Sequence, residues 1–412
     1  MNRLILVGNG FDLAHGLQTS YQNFIDDFWN NIIVKLLDLP ARLHFENEYI
    51  IIKSTPSIYP PKEKFETYKQ LKDHFDKLGN IIIFKNKFLE IVSEIRNLEN
   101  WIDLENEYYK LLIDCLRERS SVNISELNND FNKIKNQLIE YLTKIEKNIG
   151  FNIGISEIIF SDFNLKDFSE ELINYITDVK YDQFFTYYEE INMGEKKYID
   201  FDSQTLELLK ILDENNLKPS LRKFLFSRRA QNFDMLKLKP EKICMLNFNY
   251  TDTPEKYINL IARDAETDII FIHGNLLDQE NNPIIFGFGD EVDKNYSSIE
   301  ELNDNRYLDN IKSINYLQTD NYKRLLELIN IDNYQVFIFG HSCGLSDRTM
   351  LNTIFENKNC HSIKVFYHQK NSKEDNYTGL VQNISRNFIE KTKMRDKVVN
   401  KKYSESLMTK SL

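Results

Sequence analysis

The sequence predicts an α/β fold in which a doubly wound, mostly parallel sheet is interrupted by a large helical insertion. Short apolar runs closed by glycine or polar residues stand at the start of the chain and again beyond residue 240. The long stretch between them carries helical apolar spacing. Toward the C-terminal end strands alternate with helices, the βαβ pattern that pairs strands in parallel and yields a Rossmann-like sheet.

The opening strand is "RLILVG", which runs into Gly8-Asn9-Gly10. Directly after it, Tyr21, Phe24, Ile25, Phe28, Trp29, Ile32, Ile33, Leu36 and Leu37 follow the i, i+3, i+4, i+7 rule, with Thr19 or Ser20 as the cap. The same period recurs at Trp101, Leu104, Tyr108, Leu111, Leu112 and Cys115, and at Leu127, Phe131, Ile134, Leu138, Tyr141, Leu142 and Ile145. The remaining strands are read at "KICMLNF", "DIIFIHG", "PIIFGFG", "YQVFIFG" and "SIKVFYH". This divides the chain into a first part of the core over 1–60, a helical insertion over 61–235, a second part of the core over 236–390 and a frayed tail over 391–412.

Composition narrows the function classes. A chain of 412 residues suffices for two or three domains. Its four cysteines, Cys115, Cys244, Cys343 and Cys360, lie far apart, which indicates neither a disulfide framework nor a zinc ribbon; no metal is expected, and the compartment reads as reducing and cytoplasmic. No apolar run is long enough for a membrane span. A formal charge of −11 argues against a general nucleic-acid surface. "RKFLFSRR", Arg222 to Arg229, reads as an amphipathic helix with a solvated face.

Four segments carry candidate chemistry, all at strand ends, where parallel α/β sheets bind ligands. Gly8 and Gly10 permit close backbone approach, and the helix after them offers free N–H groups to an anion such as a pyrophosphate. The same turn equally serves to pack a helix tightly on a strand. The third glycine of G-x-G-x-x-G is replaced within Phe11-Asp12-Leu13, and no P-loop lysine occurs, so neither a standard dehydrogenase nor a P-loop enzyme is indicated. "MLNFNYTDT" gathers Asn247, Asn249, Tyr250, Thr251 and Asp252, suited to gripping sugar hydroxyls or capping a turn. "IIFIHGNL" places His273, followed by Gly274, where an imidazole can deprotonate a hydroxyl or serve as a structural residue. "VFIFGHSCGLSD" contributes Gly340, Ser342, Ser346 and Asp347; the two serines are candidate helix caps, and Gly-His-Ser-Cys-Gly also resembles a nucleophile elbow centred on Ser342. His15 either faces the glycine loop or packs, Asp12 and Asp290 either lend negative potential to the site or serve as cap or turn residues, and Glu105, interrupting an apolar stripe, is a rim carboxylate or a gate projecting from the insertion.

Taken together, "LILVGNGFDLAHGLQTSYQNF", "NWIDLENEY", "LNFNYTDT", "FIHGNL…IIFGFGDE" and "FGHSCGLSD" resemble the AbiH family, bacterial proteins of phage abortive infection. That family is in turn distantly similar to the sirtuin-like NAD-binding fold. The resemblance implies NAD as substrate, with Gly8, Asn9, Gly10, Phe11, Asp12, Asn247, Tyr250, Gly274, Gly340, Ser342 and Asp347 around the nucleotide and Asn249 and His273 as catalytic residues. The absence of a Cys-x-x-Cys pair argues against acyl-lysine deacylation. The implied reaction is hydrolysis of the nicotinamide–ribose bond, with His273 accepting a proton through a ribose hydroxyl. The insertion is then the candidate sensor for a phage-derived trigger, or a surface for self-association. Rival expectations are a non-catalytic nucleotide sensor and a nuclease or toxin.

Overall fold

The computed structural model describes residues 1–37, 44–53, 68–78, 81–94, 101–119, 122–145, 150–192, 203–258 and 265–407. The boundary expected near residue 60 lies outside them. In chain order the first elements are β1 (Asn2–Val7), α1 (Asn9–Ala14), α2 (Tyr21–Leu37), β2 (His44–Glu46), β3 (Ile50–Lys53), α3 (Tyr68–Leu78), β4 (Ile81–Phe84), α4 (Lys87–Glu94), α5 (Trp101–Leu116) and α6 (Ile124–Lys144). Next come α7 (Ile153–Ile159), α8 (Glu170–Asn192), α9 (Ser203–Ile211), α10 (Leu217–Leu225), β5 (Lys242–Asn247), α11 (Glu255–Ile258) and β6 (Glu266–Phe271). The chain ends with α12 (Tyr296–Glu301), α13 (Lys312–Asn315), α14 (Asn321–Ile331), β7 (Tyr334–Phe339), α15 (Arg348–Glu356), β8 (Cys360–Tyr367), α16 (Tyr377–Arg386), α17 (Lys391–Lys397) and β9 (Glu405–Ser406).

Six strands form one sheet in the order β6-β5-β1-β7-β8-β9, and every pairing in it is parallel. Alternation along β1 sends Leu4 and Leu6 into a core shared with α14, α15 and α16, while Ile5 and Val7 meet Phe11, Ile155 and Tyr257 on the opposite face. Helices therefore cover both faces, which is why these strands read as unbroken apolar runs. The β7–α15–β8 unit has the parallel pairing that its alternating pattern predicted. The end of β1, flanked by β5 and β7, is where connections leave in opposite directions along the sheet.

Between β1 and β5 the chain is chiefly helical. Ser20 begins α2 with a reciprocal cap: Asn23 N donates to Ser20 Oγ at 3.1 Å, and Ser20 N to Asn23 Oδ1 at 3.2 Å. α2, α3, α4, α5 and α6 share a core separate from the sheet's. "RKFLFSRR" lies on and just past α10, which buries Leu221, Phe224 and Leu225 against α8.

Three expectations are corrected. A separate three-stranded antiparallel sheet, β2-β3-β4, was not expected: β2 and β3 lie in the stretch assigned to the first part of the core and β4 in the helical insertion, and its strands have only three or four residues each. "PIIFGFG" is not a strand of the sheet but irregular chain with an isolated bridge from Phe288 to Ile311. It is apolar because it docks the insertion: Phe286 stacks on Phe131 at 5.0 Å and Phe288 on Tyr109 at 3.8 Å between ring centroids. The segment from residue 391 is not frayed through to residue 407: α17 packs on β8 and β9 pairs with its end.

Candidate functional site

The parallel sheet delivers four chain ends to one edge. β1 ends at Gly8, β5 at Asn247, β6 just before His273, and β7 at Gly340. At that edge Gly8, Gly10 and Gly340 form a backbone contact with no room for side chains. A Cβ on Gly10 would lie 2.8 Å from Gly340 Cα, and Gly340 itself has φ +70° with Phe11 N only 2.2 Å from its would-be Cβ. Gly8 N donates to Phe339 O at 3.0 Å and Gly10 N to Gly340 O at 2.9 Å. Two of the three loop amides expected to cradle a pyrophosphate are thus committed to the turn after β7, which leaves that of Asn9, half-buried between them.

Below the loop, Phe11 is fully buried and stacks on Phe339, so its side chain serves the core rather than a ligand. His15 accompanies it, with Nδ1 2.7 Å from Phe11 O and Nε2 2.5 Å from the Tyr257 hydroxyl, the packing role expected. Asp12 is buried and accepts a hydrogen bond from Thr251 Oγ1 at 2.7 Å; burial pushes its carboxyl up to about 6. Asn247 shapes the next turn, its Nδ2 donating to Thr251 O at 2.9 Å and its Oδ1 accepting from Asn249 N at 3.1 Å. Asn249 Nδ2 donates to Gly8 O at 3.0 Å and so ties the end of β5 to the glycine loop.

His273 and Asp347 meet. His273 Nε2 is 3.2 Å from Asp347 Oδ1 and 3.1 Å from the Tyr316 hydroxyl, and Nδ1 is 3.1 Å from Phe248 O. A carbonyl can only accept, so the proton of the neutral ring sits on Nδ1 and Nε2 accepts from the Tyr316 hydroxyl; Asp347 Oδ1, itself an acceptor, is bonded by Nε2 only in the imidazolium form. Burial, reinforced by the nearby Lys312 cation, pulls the imidazole down to about 4. Gly274 turns the chain back with φ +93°, and Ile285 N then bonds His273 O at 2.9 Å. Tyr250 lies over His273 with ring centroids 6.5 Å apart and donates to Ile285 O at 3.3 Å. No direct bond joins Asn249 to His273 among the described residues; they approach from neighbouring strand ends.

Asp347 is the hub of a buried cluster that the sequence reading only partly reached. Lys312 Nζ lies 2.9 Å from its Oδ1 and 2.8 Å from Glu105 Oε1, with all three side chains at most 5% exposed. His341 Nδ1 accepts the Cys343 N–H at 3.1 Å, which puts that ring's proton on Nε2, 3.6 Å from Asp347 Oδ2. Despite burial, the Lys312 cation, with the hydrogen-bonding imidazoles, holds the Asp347 carboxyl well below the usual range, whereas burial drives Glu105 up to about 7. Glu105 is therefore neither on a rim nor a gate: it lies in the floor.

Ser346 does not cap a helix; buried, its Oγ lies 3.5 Å from Asp347 Oδ2. Ser342 is half-buried at the mouth and also caps nothing, its carbonyl accepting from Asn383 Nδ2. Asp290 is a turn residue, accepting from Val292 N and facing Arg348 at 3.3 Å. Lys312, Tyr316 and His341 were not singled out by sequence reasoning. His341, adjoining Gly340, was the one with a readable signal; Lys312 in "NIKSIN" had none.

A family model described as "Bacteriophage abortive infection AbiH" matches residues 4–369. The chain belongs to the AbiH family. Membership gives it a role in phage abortive infection, as the motifs implied. Neither a curated protein nor a solved structure matches the chain. The matched span contains every residue of the cluster, from the glycine loop through Glu105 to Asp347. No group of metal-ligating side chains occurs among the described residues, and no described helix is long and apolar enough to cross a membrane.

Proposed function

We propose that this AbiH protein is an abortive-infection effector that hydrolyses NAD at the nicotinamide–ribose bond. The observation that carries the reading is the His273–Asp347 pair, an imidazole 3.2 Å from a carboxylate, both buried where four parallel strands end beside a glycine loop. Displaced protonation states at the carboxyl edge of an α/β sheet are the physical mark of acid–base chemistry at a ligand site. Asn9, Tyr250, Gly340 and Ser342 line the half-buried mouth for the nucleotide.

In this reading a ribose hydroxyl displaces the Tyr316 hydroxyl from His273 Nε2, and the imidazole draws its proton. Electron density on that oxygen stabilises the oxocarbenium-like state as the C–N bond breaks and nicotinamide leaves with the bonding pair. Asn249, anchored through Nδ2 to the glycine loop, keeps its amide oxygen for the ribose and the attacking water. Water oxygen bonds to the ribose carbon and loses one proton to solvent, the imidazolium returns its proton to the ribose hydroxyl, and ADP-ribose results. Asp347 stabilises the imidazolium that forms transiently.

The test is NAD consumption by purified wild-type protein and His273→Ala, with and without phage lysate, following nicotinamide and ADP-ribose. His273-dependent release of both is expected. Nucleotide binding without turnover, unchanged in the variant, replaces this reading with that of a sensor.

A further inference from the structure

We propose that helix α5 of the insertion governs the basicity of His273 through the buried chain Glu105–Lys312–Asp347, which makes Glu105 and Lys312 positioning residues of the site. The proposal deepens the catalytic reading and rests on His273 as its proton acceptor.

The geometry is continuous. Glu105 stands on α5 between Leu104 and Tyr108, both fully buried, so the helix turns a carboxylate into a protein interior. Lys312 Nζ bridges it to Asp347 Oδ1, the same oxygen that faces His273 Nε2. A buried charge without a partner costs several kcal/mol, so Lys312 and Asp347 hold each other ionised and in place, while the Glu105 carboxyl, raised by burial, offsets Lys312 to the extent that it is ionised. The bridge is also mechanically tied to the insertion. Lys312 N bonds Phe288 O at 2.9 Å, and the Phe288 ring stacks on Tyr109, one turn along α5 from Glu105. Tyr109 in turn donates to Asp293 at 2.7 Å, and Asn310 Nδ2 donates to the Tyr108 hydroxyl at 3.1 Å. A shift of α5 therefore moves Glu105 and the backbone that carries Lys312 together.

The charges facing His273 come from four elements. Asp347 precedes α15, Lys312 begins α13, His341 follows β7, and Glu105 lies behind Lys312 on α5; the Tyr316 and Tyr250 hydroxyls and the Phe248 carbonyl complete the surroundings. Lys312 opposes an imidazolium, Asp347 favours it, and Glu105 cancels part of Lys312. The chain consequently makes a signed prediction. Removing Lys312 raises the basicity of His273, whereas neutralising Glu105 leaves Lys312 uncompensated and lowers it. Loosened packing would not produce shifts of opposite sign.

The experiment is pH titration of the full-length protein labelled with ¹⁵N-histidine, with the His273 signals assigned by their loss in His273→Asn. Lys312→Met is expected to raise the His273 midpoint and Glu105→Gln to lower it, each by on the order of one pH unit, with the double variant returning toward wild type. Shifts in the same direction, or none, overturn the proposal. Should a single variant fail to fold, wild-type protein supplies the test: the His273 signal is expected to show a second inflection as Glu105 titrates near 7, and a flat response across that range overturns it. These readouts need no turnover, so a protein that consumes no NAD but shows the signed shifts loses the catalytic reading alone. One that consumes NAD without them loses the chain alone. In an active protein, Glu105→Gln lowers kcat and shifts its pH profile while KM changes little.

Discussion

Two buried ionic networks lie on the same sheet, and their contrast separates holding a fold together from the proton transfer proposed for the strand ends. The first is near the amino ends of the strands. Arg3 of β1 donates to Ile159 O at 2.8 Å and Ser161 O at 2.7 Å, between the rings of Phe163 and Phe337. In register with it, Gln335 donates to Ser362 Oγ and Asp167, and Lys364 lies 3.3 Å from Asp167. All of this fastens residues 153–168 to the sheet. The second network is Glu105–Lys312–Asp347–His273 at the carboxyl ends. Burial lowers Arg3 to about 9, which still leaves it charged at neutrality, whereas it moves His273 to about 4, Glu105 to about 7 and Asp12, under the glycine loop, to about 6. Buried charge alone is no sign of function; displacement toward a change of protonation at the ligand edge is.

The largest expected effect breaks the second network at its centre. His273→Ala removes the proposed proton acceptor and is expected to lower NAD turnover by about 10³-fold, within the usual range for general acid–base groups. Its denaturant midpoint should stay near wild type, since the ring's partners at Phe248 and Tyr316 are polar groups that water can satisfy. Progress curves beside urea melts check both halves. Turnover within tenfold of wild type would exclude His273 from the chemistry.

Lys364→Met tests the first network. It leaves Asp167 buried with only part of its compensation, so a loss of about 3 kcal/mol in stability is expected. NAD turnover at low temperature should remain within about twofold, because nothing in this network reaches the strand ends. Stability unchanged but activity lost would invert the comparison.

How far each network was legible in the sequence follows from what fixes it. The strands and the glycine loop announced themselves through apolar runs and Gly-x-Gly, which depend on local backbone demands. His273, Asn249 and Asp347 were readable because parallel strand ends gather ligands, and topology placed them together. Lys312 was not, since a lysine in "NIKSIN" becomes special only when a helix two hundred residues earlier supplies Glu105. The strand expected at "PIIFGFG" failed for a related reason: its apolar residues answer Tyr109 and Phe131 of the insertion rather than a neighbouring strand. β2, β3 and β4 were lost among helical signals because strands so short carry too little alternation.

Asp12→Asn sharpens the contrast through pH. With the folded carboxyl raised to about 6 from an ordinary 3.8, the native state holds this proton more tightly than the unfolded chain. Asp12 thus supports stability below about pH 4, and that support is lost as pH rises through 6. Asparagine keeps an acceptor for Thr251 without the buried charge. The variant is expected to be more stable than wild type at pH 8, by on the order of 2 kcal/mol, with the gap closing toward pH 4. Urea midpoints of both proteins at the two pH values decide it, and a variant less stable at pH 8 would mean that Asp12 has a favourable ionic partner when folded.

Ser342→Ala carries the smallest effect. Gly-His-Ser-Cys-Gly has the order of a nucleophile elbow, and the positive φ of 53° at Cys343 gives it the strained turn such elbows use. A serine nucleophile also needs a base within hydrogen-bond reach. Both nearby imidazoles are otherwise engaged: His341 holds the Cys343 amide and faces Asp347, and His273 faces Tyr316 and Asp347. Cys343, one residue on, is fully buried with its thiol pushed up by burial, so it cannot substitute. Half-buried Ser342 is thus left only a hydroxyl to offer the proposed nucleotide. Its removal should leave kcat within about twofold and raise KM no more than about fivefold, the worth of one hydrogen bond near 1 kcal/mol. A hundredfold fall in kcat would instead make the turn after β7 a true elbow and move the chemistry from the imidazole at the end of β6 to the serine beside it.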